Sequence, residues 1–352
     1  MRPRVLVARL DSLGDVLLAG PAVRAVAERA DVVMLCGPRG EPAARLLPGV
    51  SEVVVWDAPW ISDPAPAVDE DHLGALVSRV RAARVSEAVI LTSFHQSPLP
   101  LAMLLRVAGV SRISGASVDY PGSLLDVRLR PGEDLPEDIP EPERALAIAE
   151  AAGFPRSDDG RLRVGPLPDV SELTGRDPYV VLHPGAAVPA RQWPVEGFAR
   201  AARLLASRGR RILLTGGPGE RALTGLIARE EPTAVDLAGG CTLPQLAGVL
   251  AGASAVVVGN TGPAHLAAAV GTPVVSLFSP VVPAVRWRPY GVPHRLLGDQ
   301  NAPCRGTRAR VCPVPGHPCL AGVSAESVVA AVLELEAGRR DEEATDTRGA
   351  RR

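Results

Sequence analysis

Two blocks of alternating strand and helix pattern, separated by a proline- and acid-rich break, constrain this chain more than any other feature. In the first block the apolar runs RVLVARL (4–10), DVVMLCG (31–37), EVVVWD (52–57) and EAVILTS (87–93) each lead into a helical pattern, near 14–29, 40–47, 72–83 and 97–108. Short apolar runs alternating with helices imply βαβ units and a parallel sheet. PGEDLPEDIPEPE (131–143) interrupts the pattern, followed by a short helix near 143–152 and another Pro/Gly/Asp-rich stretch to about 178. The alternation then restarts with PYVVLHPG (178–185), RRILLTGG (210–217), AVDLAG (234–239), SAVVVGN (254–260) and PVVSLFS (273–279). Helices are expected between them at 195–207, 220–229, 243–251 and 262–269, and a last one at 323–337.

The expected architecture is therefore two doubly wound α/β domains, 1–140 and 179–337, with a linker region over 141–178. The charged tail GRRDEEATDTRGARR (338–352) is expected to be disordered. In open parallel sheets, ligands sit outside the carboxyl ends of the strands. A site between the domains is expected to be lined by the strand-to-helix loops of both halves.

Composition narrows the function. A chain of 352 residues, 46% hydrophobic, can bury two cores. A net charge of −1 argues against a nucleic-acid binder or a polybasic membrane anchor. Lysine is absent, so all 38 cationic residues are arginine and any phosphate clamp must be arginine. MRPRVLVARLDSLGD lacks the pattern of a signal peptide, and no run reaches the roughly 18 apolar residues of a membrane span. An odd count of five cysteines fits a reducing cytoplasm.

The loops after the strands carry the chemistry. In VVVGNTGPAHLAAAVGTP (256–273), Asn260 or Thr261 is placed to cap the next helix. Gly262 permits close approach, Pro263 suits the first helical position, and His265 lies one turn in. Such a helix mouth offers backbone N–H groups and a positive dipole end to an anion. In LHPGAAVPARQWP (182–194), Arg191 is placed to clamp phosphate, with Trp193–Pro194 anchoring the loop. In LLTGGPGERALTG (213–225), Gly217, Gly219 and Ala222 fit a dinucleotide fingerprint with Asp236 downstream, but the unit lies mid-domain. A helix mouth with Glu220 near a ribose is the favoured reading there. In LDSLGDVLLAGPA (10–22), Ser12 and Asp15 match a capping box, while Asp15 at a strand's carboxyl end is also placed to act as a base. Cys304, Cys312, Cys319 and His317 lack the paired spacing of a zinc site and read as a packed loop of reduced cysteines.

Taken in order, RLDSLGDVLLAGPAVRAV, LHPGAAVPARQWPVEGFARAARLLASRG, DLAGGCTLPQLAGVLAGASAVVVGNTGPAHLAAAVGTPVVSLF and CRGTRARVCPVPGHPCL resemble glycosyltransferase family 9, the ADP-heptose:lipopolysaccharide heptosyltransferases. The resemblance covers most of both halves except roughly 57–85 and 131–178. It implies a GT-B fold, two Rossmann-like domains facing across a cleft, with the acceptor side N-terminal and the nucleotide-sugar side C-terminal. It implies an inverting, metal-independent transfer of a heptose or similar sugar from an ADP-sugar to a saccharide or glycolipid acceptor, such as lipopolysaccharide core. No cofactor, metal or nucleic acid is expected, and membrane contact is at most peripheral, at the inner face. The family's base maps to Asp15, with Ser12, Leu13 and Gly14 as the acceptor-side closure loop. The family's donor-phosphate residue, often Lys, maps to Arg191, and its D-T-G-P-x-H segment to Asn260, Thr261, Gly262, Pro263 and His265. The usual Asp is here Asn260, and Thr307 stands where many members have a fourth cysteine. The competing readings are an NAD-dependent oxidoreductase, a GT-B sugar-nucleotide epimerase and a catalytically silent binding homologue.

Overall fold

The computed structural model describes the backbone of residues 2–349 and the side chains of residues 2–339. The chain divides into two compact units, Met1–Gly165 and Pro166–Arg352. In chain order the first contains β1 (Arg4–Arg9), α1 (Leu13–Leu18), α2 (Gly20–Ala27), β2 (Asp31–Cys36), α3 (Glu41–Ala44) and β3 (Val50–Val55). It continues with α4 (Glu70–Ala83), β4 (Glu87–Ile90), α5 (Leu99–Ala108), β5 (Arg112–Ala116), β6 (Val127–Leu129) and α6 (Glu141–Ala151). Its strands form one sheet of order β3-β2-β1-β4-β5-β6 in which every pairing is parallel.

The second unit contains α7 (Ser171–Thr174), β7 (Tyr179–His183), α8 (Val195–Ala206), β8 (Arg211–Leu214), α9 (Arg221–Glu230), β9 (Val235–Asp236) and α10 (Leu243–Ala251). After these come β10 (Ala255–Gly259), α11 (Gly262–Ala269), β11 (Val274–Leu277), α12 (Ala284–Trp287), β12 (His294–Leu297), α13 (Pro318–Ala321) and α14 (Ala325–Gly349). Its sheet order is β12-β11-β10-β7-β8-β9, again all parallel. Numbered within each unit, both sheets run 3-2-1-4-5-6, the doubly wound order. Strand order reverses between β1 and β4 in one and between β7 and β10 in the other, and each reversal opens a crevice at the carboxyl ends.

The strands form because their apolar runs are buried on both faces. Val5, Leu6, Val7 and Ala8 of β1, and Val180, Val181 and Leu182 of β7, are almost wholly inaccessible. The long helix expected near 14–29 is two helices, α1 and α2. Pro21 sits in the first turn of α2, where its missing N–H costs nothing, whereas inside a continuous helix its ring would clash with the preceding turn.

Two boundaries differ from expectation. The division between units falls at Gly165, within the expected linker, and α6 packs on α2 of the first unit. The last helix continues to Gly349, through most of the segment expected to be disordered. Gly338 is the one break signal there; no proline follows Pro318, and AGRRDEEA (337–344) is otherwise rich in good helix formers, so the helix runs on past 337. The remainder of that expected disorder, 350–352, lies outside the described residues.

Candidate active site

In the first unit, the crevice between β1 and β4 is organised by Arg9, the last residue of β1. The guanidinium is buried, with 3% of its side chain exposed, and reaches four partners. Its Nε is 2.8 Å from Asp11 Oδ2, and its Nη2 donates to Asp15 Oδ1 at 3.1 Å and to Ser93 Oγ at 2.8 Å. Nη1 donates to Glu141 Oε2 at 3.3 Å. The Arg9–Ser93 bond therefore bridges the strand-order reversal, since Ser93 follows β4. Asp11 is held on its other side by the Gln96 amide, and the Gln96 carbonyl accepts from the Ser93 N–H. Burial pushes the Asp11 carboxyl up, and Arg9 opposes that shift.

Asp15 does not close a capping box. Ser12 begins α1 without a side-chain bond to the helix backbone, and its Oγ donates to Asp15 Oδ2 at 2.8 Å. The Asp15 carboxylate is thus gripped by side chains, Arg9 on one oxygen and Ser12 on the other. Gly14 is buried beside it, while Ser12 and Leu13 are part-exposed. A cavity of about 230 Å³ lies nearby at the carboxyl ends of β4 and β5, lined by Phe94, His95, Gln96, Ser117, Asp119 and Arg144.

In the second unit, the crevice between β7 and β10 gathers the other motifs. The loop after β7 ends in a 3-10 turn, Pro189–Arg191, and Arg191 Nη1 donates to the Asn260 carbonyl at 3.3 Å. That bond spans the second reversal, from the β7 loop to the end of β10. Trp193 is buried edge-on against Phe198, ring centroids 4.9 Å apart, and its Nε1 donates to the Val323 carbonyl, so it anchors the loop as expected. His317 Nε2 lies 3.2 Å from the Ala190 carbonyl, and Ala190 N–H donates to the Arg310 carbonyl. The cysteine-bearing segment therefore backs the Arg191 turn. All five cysteines are free thiols, and burial pushes Cys319 up to about 11 and Cys36 up to about 12, which keeps both protonated near neutrality.

Helix α11 begins with Thr261 at its N-cap, Gly262 at its first position and Pro263 at its second. Thr261 thus takes the N-cap position, as one of the two expected residues, but makes no side-chain cap bond, and the buried Asn260 side chain bridges to Ser279 just beyond β11. Its Nδ2 lies 3.5 Å from the Ser279 carbonyl, and its Oδ1 accepts from the Ser279 N–H at 3.4 Å. His265 is buried in the first turn of α11. Glu220 lies against the backbone of the β7 loop. Its Oε2 accepts from the Gly217 N–H at 2.7 Å, and a Cβ at Gly185 would fall 1.8 Å from its Oε1. His183 Nδ1 lies 3.0 Å from Thr215 Oγ1, with Nε2 3.8 Å from Glu220.

Burial lowers the His183 pKa, and the Glu220 charge opposes that only in part. Below the ordinary histidine value of about 6.5, the unfolded chain takes up a proton that the folded His183 refuses, so its contribution to stability is lost as pH falls through that value. The Tm of the wild type is expected to fall more steeply between pH 7 and pH 5 than that of His183→Asn, read by calorimetry. Equal slopes contradict the assignment.

A cavity of about 1020 Å³ in the second unit opens at the amino ends of the strands, among Tyr179, Arg211, Ser254 and Glu336, whereas the candidate residues lie at the carboxyl ends. Among the described residues, no group of three or more His, Cys, Asp or Glu is arranged to hold a metal ion.

Residues 138–316 match the sequence pattern of Glycosyltransferase family 9 (heptosyltransferase). The chain belongs to glycosyltransferase family 9. This family 9 chain is 32% identical over 164 residues to lipopolysaccharide heptosyltransferase 3 of Escherichia coli, covering 45% of this chain and 46% of that one. The curated relatives it first matches are thus spanned over about a third to a half of their length. Its fold is shared with E. coli ADP-heptose lps heptosyltransferase II, with a TM-score of 0.73 at 20% identity over 96% of this chain and 99% of that one. A second likeness is to E. coli heptosyltransferase WaaC with ADP-2-deoxy-2-fluoro heptose, with a TM-score of 0.67 at 21% identity over 94% and 99%. These likenesses establish the GT-B fold of this family 9 member.

Asp15, Arg191, Glu220 and the 260–265 segment stand out in the sequence as candidates, but the groups that hold them do not. Arg9 carried a signal, a charge inside an otherwise apolar strand run. Glu141 and Ser279 carried none, because their partners lie 132 and 19 residues away in sequence.

Proposed function

We propose that this protein transfers a heptose or similar sugar from an ADP-sugar to a hydroxyl of a saccharide or glycolipid acceptor, such as a lipopolysaccharide core. The observation that carries this reading is the pairing of two loops at each strand-order reversal. A carboxylate set by Arg9 and Ser12 stands at one, and an arginine set against a helix mouth stands at the other. Family membership and the ADP-sugar named with the WaaC structure support the donor class. Among the described residues no helix is long and apolar enough to cross a membrane. In this reading the enzyme works on the cytoplasmic side, with at most peripheral contact to the inner face of the membrane.

The step is a single displacement. Asp15 accepts the proton of the acceptor hydroxyl as its oxygen bonds to the sugar C1, and the bond from C1 to the phosphate oxygen breaks on the opposite face, inverting the centre. ADP departs with the electron pair. Arg191 and the backbone N–H groups around Thr261 and Gly262 stabilise the charge that develops on it. Asp15 need not be a strong base, because the proton becomes acidic only as the oxocarbenium-like centre is captured. Glu220 accepts hydrogen bonds from the ribose, and His265 and Pro263 shape the donor side. No metal takes part in this scheme, so transfer is expected to proceed unchanged in excess EDTA. Loss of activity on chelation, restored by a divalent ion, contradicts that part of it.

Thermal shifts with ADP, UDP, GDP and NAD at equal concentration test the donor class. A ligand at about 100 times its Kd stabilises by about 2.7 kcal/mol. The largest shift is expected with ADP. A larger shift with NAD would return the Gly217–Ala222 loop to the role of a dinucleotide site. Gly185→Ala tests Glu220 separately. The new methyl evicts the Glu220 carboxylate from its position, and ADP affinity is expected to fall by about tenfold with little change in Tm. Unchanged affinity removes Glu220 from the donor site.

A further inference from the structure

We propose that Arg9, anchored by Glu141 from α6, is the positioning residue that fixes the Asp15 carboxylate in its working orientation. The proposal rests on the reading of Asp15 as the base. Arg9 stands at the end of an apolar strand, and Glu141, with 1% of its side chain exposed, lies on the first turn of α6, which also buries Pro142, Arg144, Ala145, Leu146, Ile148 and Ala149. A buried arginine and a buried glutamate are costly unless each satisfies the other and further partners. The guanidinium spends one nitrogen on each of Asp11 and Glu141, and its third on Asp15 together with Ser93. Its planar fork thus fixes the direction from which Asp15 Oδ1 is held.

Charged groups from several elements gather around Asp15 and its partners. β1 brings Arg9, and the loop after it brings Asp11. α6 brings Glu141 and also Arg144, which donates to the Thr92 carbonyl and lies 3.5 Å from Glu137. The loop after β2 brings Arg39, which acts on Asp11. On α3, Glu41 and Arg45 pair with each other, and Arg24 of α2 pairs with Asp158. Arg9 touches both Asp15 and the buried carboxylate Glu141.

This arrangement makes opposite demands on two variants. Removing the Glu141 charge leaves Arg9 less neutralised and favours ionised Asp15. Removing the Arg9 charge leaves Asp15 beside Asp11 and Glu141 and disfavours it. The test is the pH profile of kcat in the full chain, followed by ADP release, with folding checked by circular dichroism at each pH. Glu141→Gln is expected to move the acid limb to lower pH, and Arg9→Met to higher pH by about one unit or more. Arg9→Lys, which keeps the charge but loses the fork, is expected to lower kcat by about tenfold or more with the acid limb in place and the donor KM within about twofold. If Arg9→Met does not fold, the contrast between Glu141→Gln and Arg9→Lys decides. Limbs that stay together, or move the same way, overturn the positioning role. Asp15→Asn run alongside separates the failures. If it is inactive and the limbs do not diverge, this proposal alone falls; if it is fully active, the reading of Asp15 as base falls with it.

Discussion

Asp15→Asn is expected to lower kcat by about a thousandfold while leaving ADP affinity within about twofold. The substitution keeps the size of the side chain and one oxygen, which can still accept from Arg9, while its NH2 replaces the oxygen that accepted from Ser12. What it removes is the carboxylate charge and with it the capacity to take a proton. The structure sharpens this expectation, because Asp15 makes no capping box whose loss would confuse the result. A large fall in Tm would mean that the carboxylate serves the fold. A large fall in kcat at unchanged Tm and unchanged ADP binding would mean that it serves the reaction. Steady-state kinetics, calorimetry and nucleotide titration on one preparation distinguish these outcomes.

The second large effect is expected at Arg191. Arg191→Ala is expected to lower kcat by about a hundredfold or more and to raise the donor KM, since a cation aimed at developing phosphate charge contributes about 3 kcal/mol to the transition state. Arg191→Lys is expected to recover part of kcat, because it restores the charge without the bidentate fork. The turn that carries Arg191 is held independently by Trp193, His317 and the Ala190 N–H, so truncating the side chain leaves the turn in place. An Arg191→Ala enzyme with wild-type kcat contradicts the donor side of the scheme. Large losses at both Asp15 and Arg191, one confined to kcat and the other shared with KM, are the signature of a base and a phosphate clamp.

The sequence revealed the sheets more fully than the sites. The central strands were legible because parallel strands buried on both faces read as unbroken Val, Leu and Ile runs. β5 and β6 were not, since RISGA carries a serine and a glycine and VRL is three residues long. β12, HRLL, is a half-buried edge strand that begins with two polar residues, and it also escaped. At both sites the N-cap position was legible, at Ser12 and Thr261, but the side-chain capping bond was not formed. Ser12, Asp15, Asn260 and Thr261 are residue types that satisfy helix N-termini, yet three of them were already committed to side-chain or backbone partners that local spacing does not reveal. Glu141 shows the limit most clearly. It sits in a proline- and acid-rich stretch that reads as a linker, and only the folded chain brings its carboxylate to Arg9.

The central claim is sugar transfer from an ADP-sugar with Asp15 as base. The most direct measurement incubates the wild type and Asp15→Asn with ADP-heptose and a heptose-deficient lipopolysaccharide core, and follows acceptor mass and released ADP together. The wild type is expected to add one heptosyl residue per ADP released, and Asp15→Asn to do neither at a comparable rate. Release of ADP without a gain in acceptor mass, or equal transfer by both proteins, would contradict it.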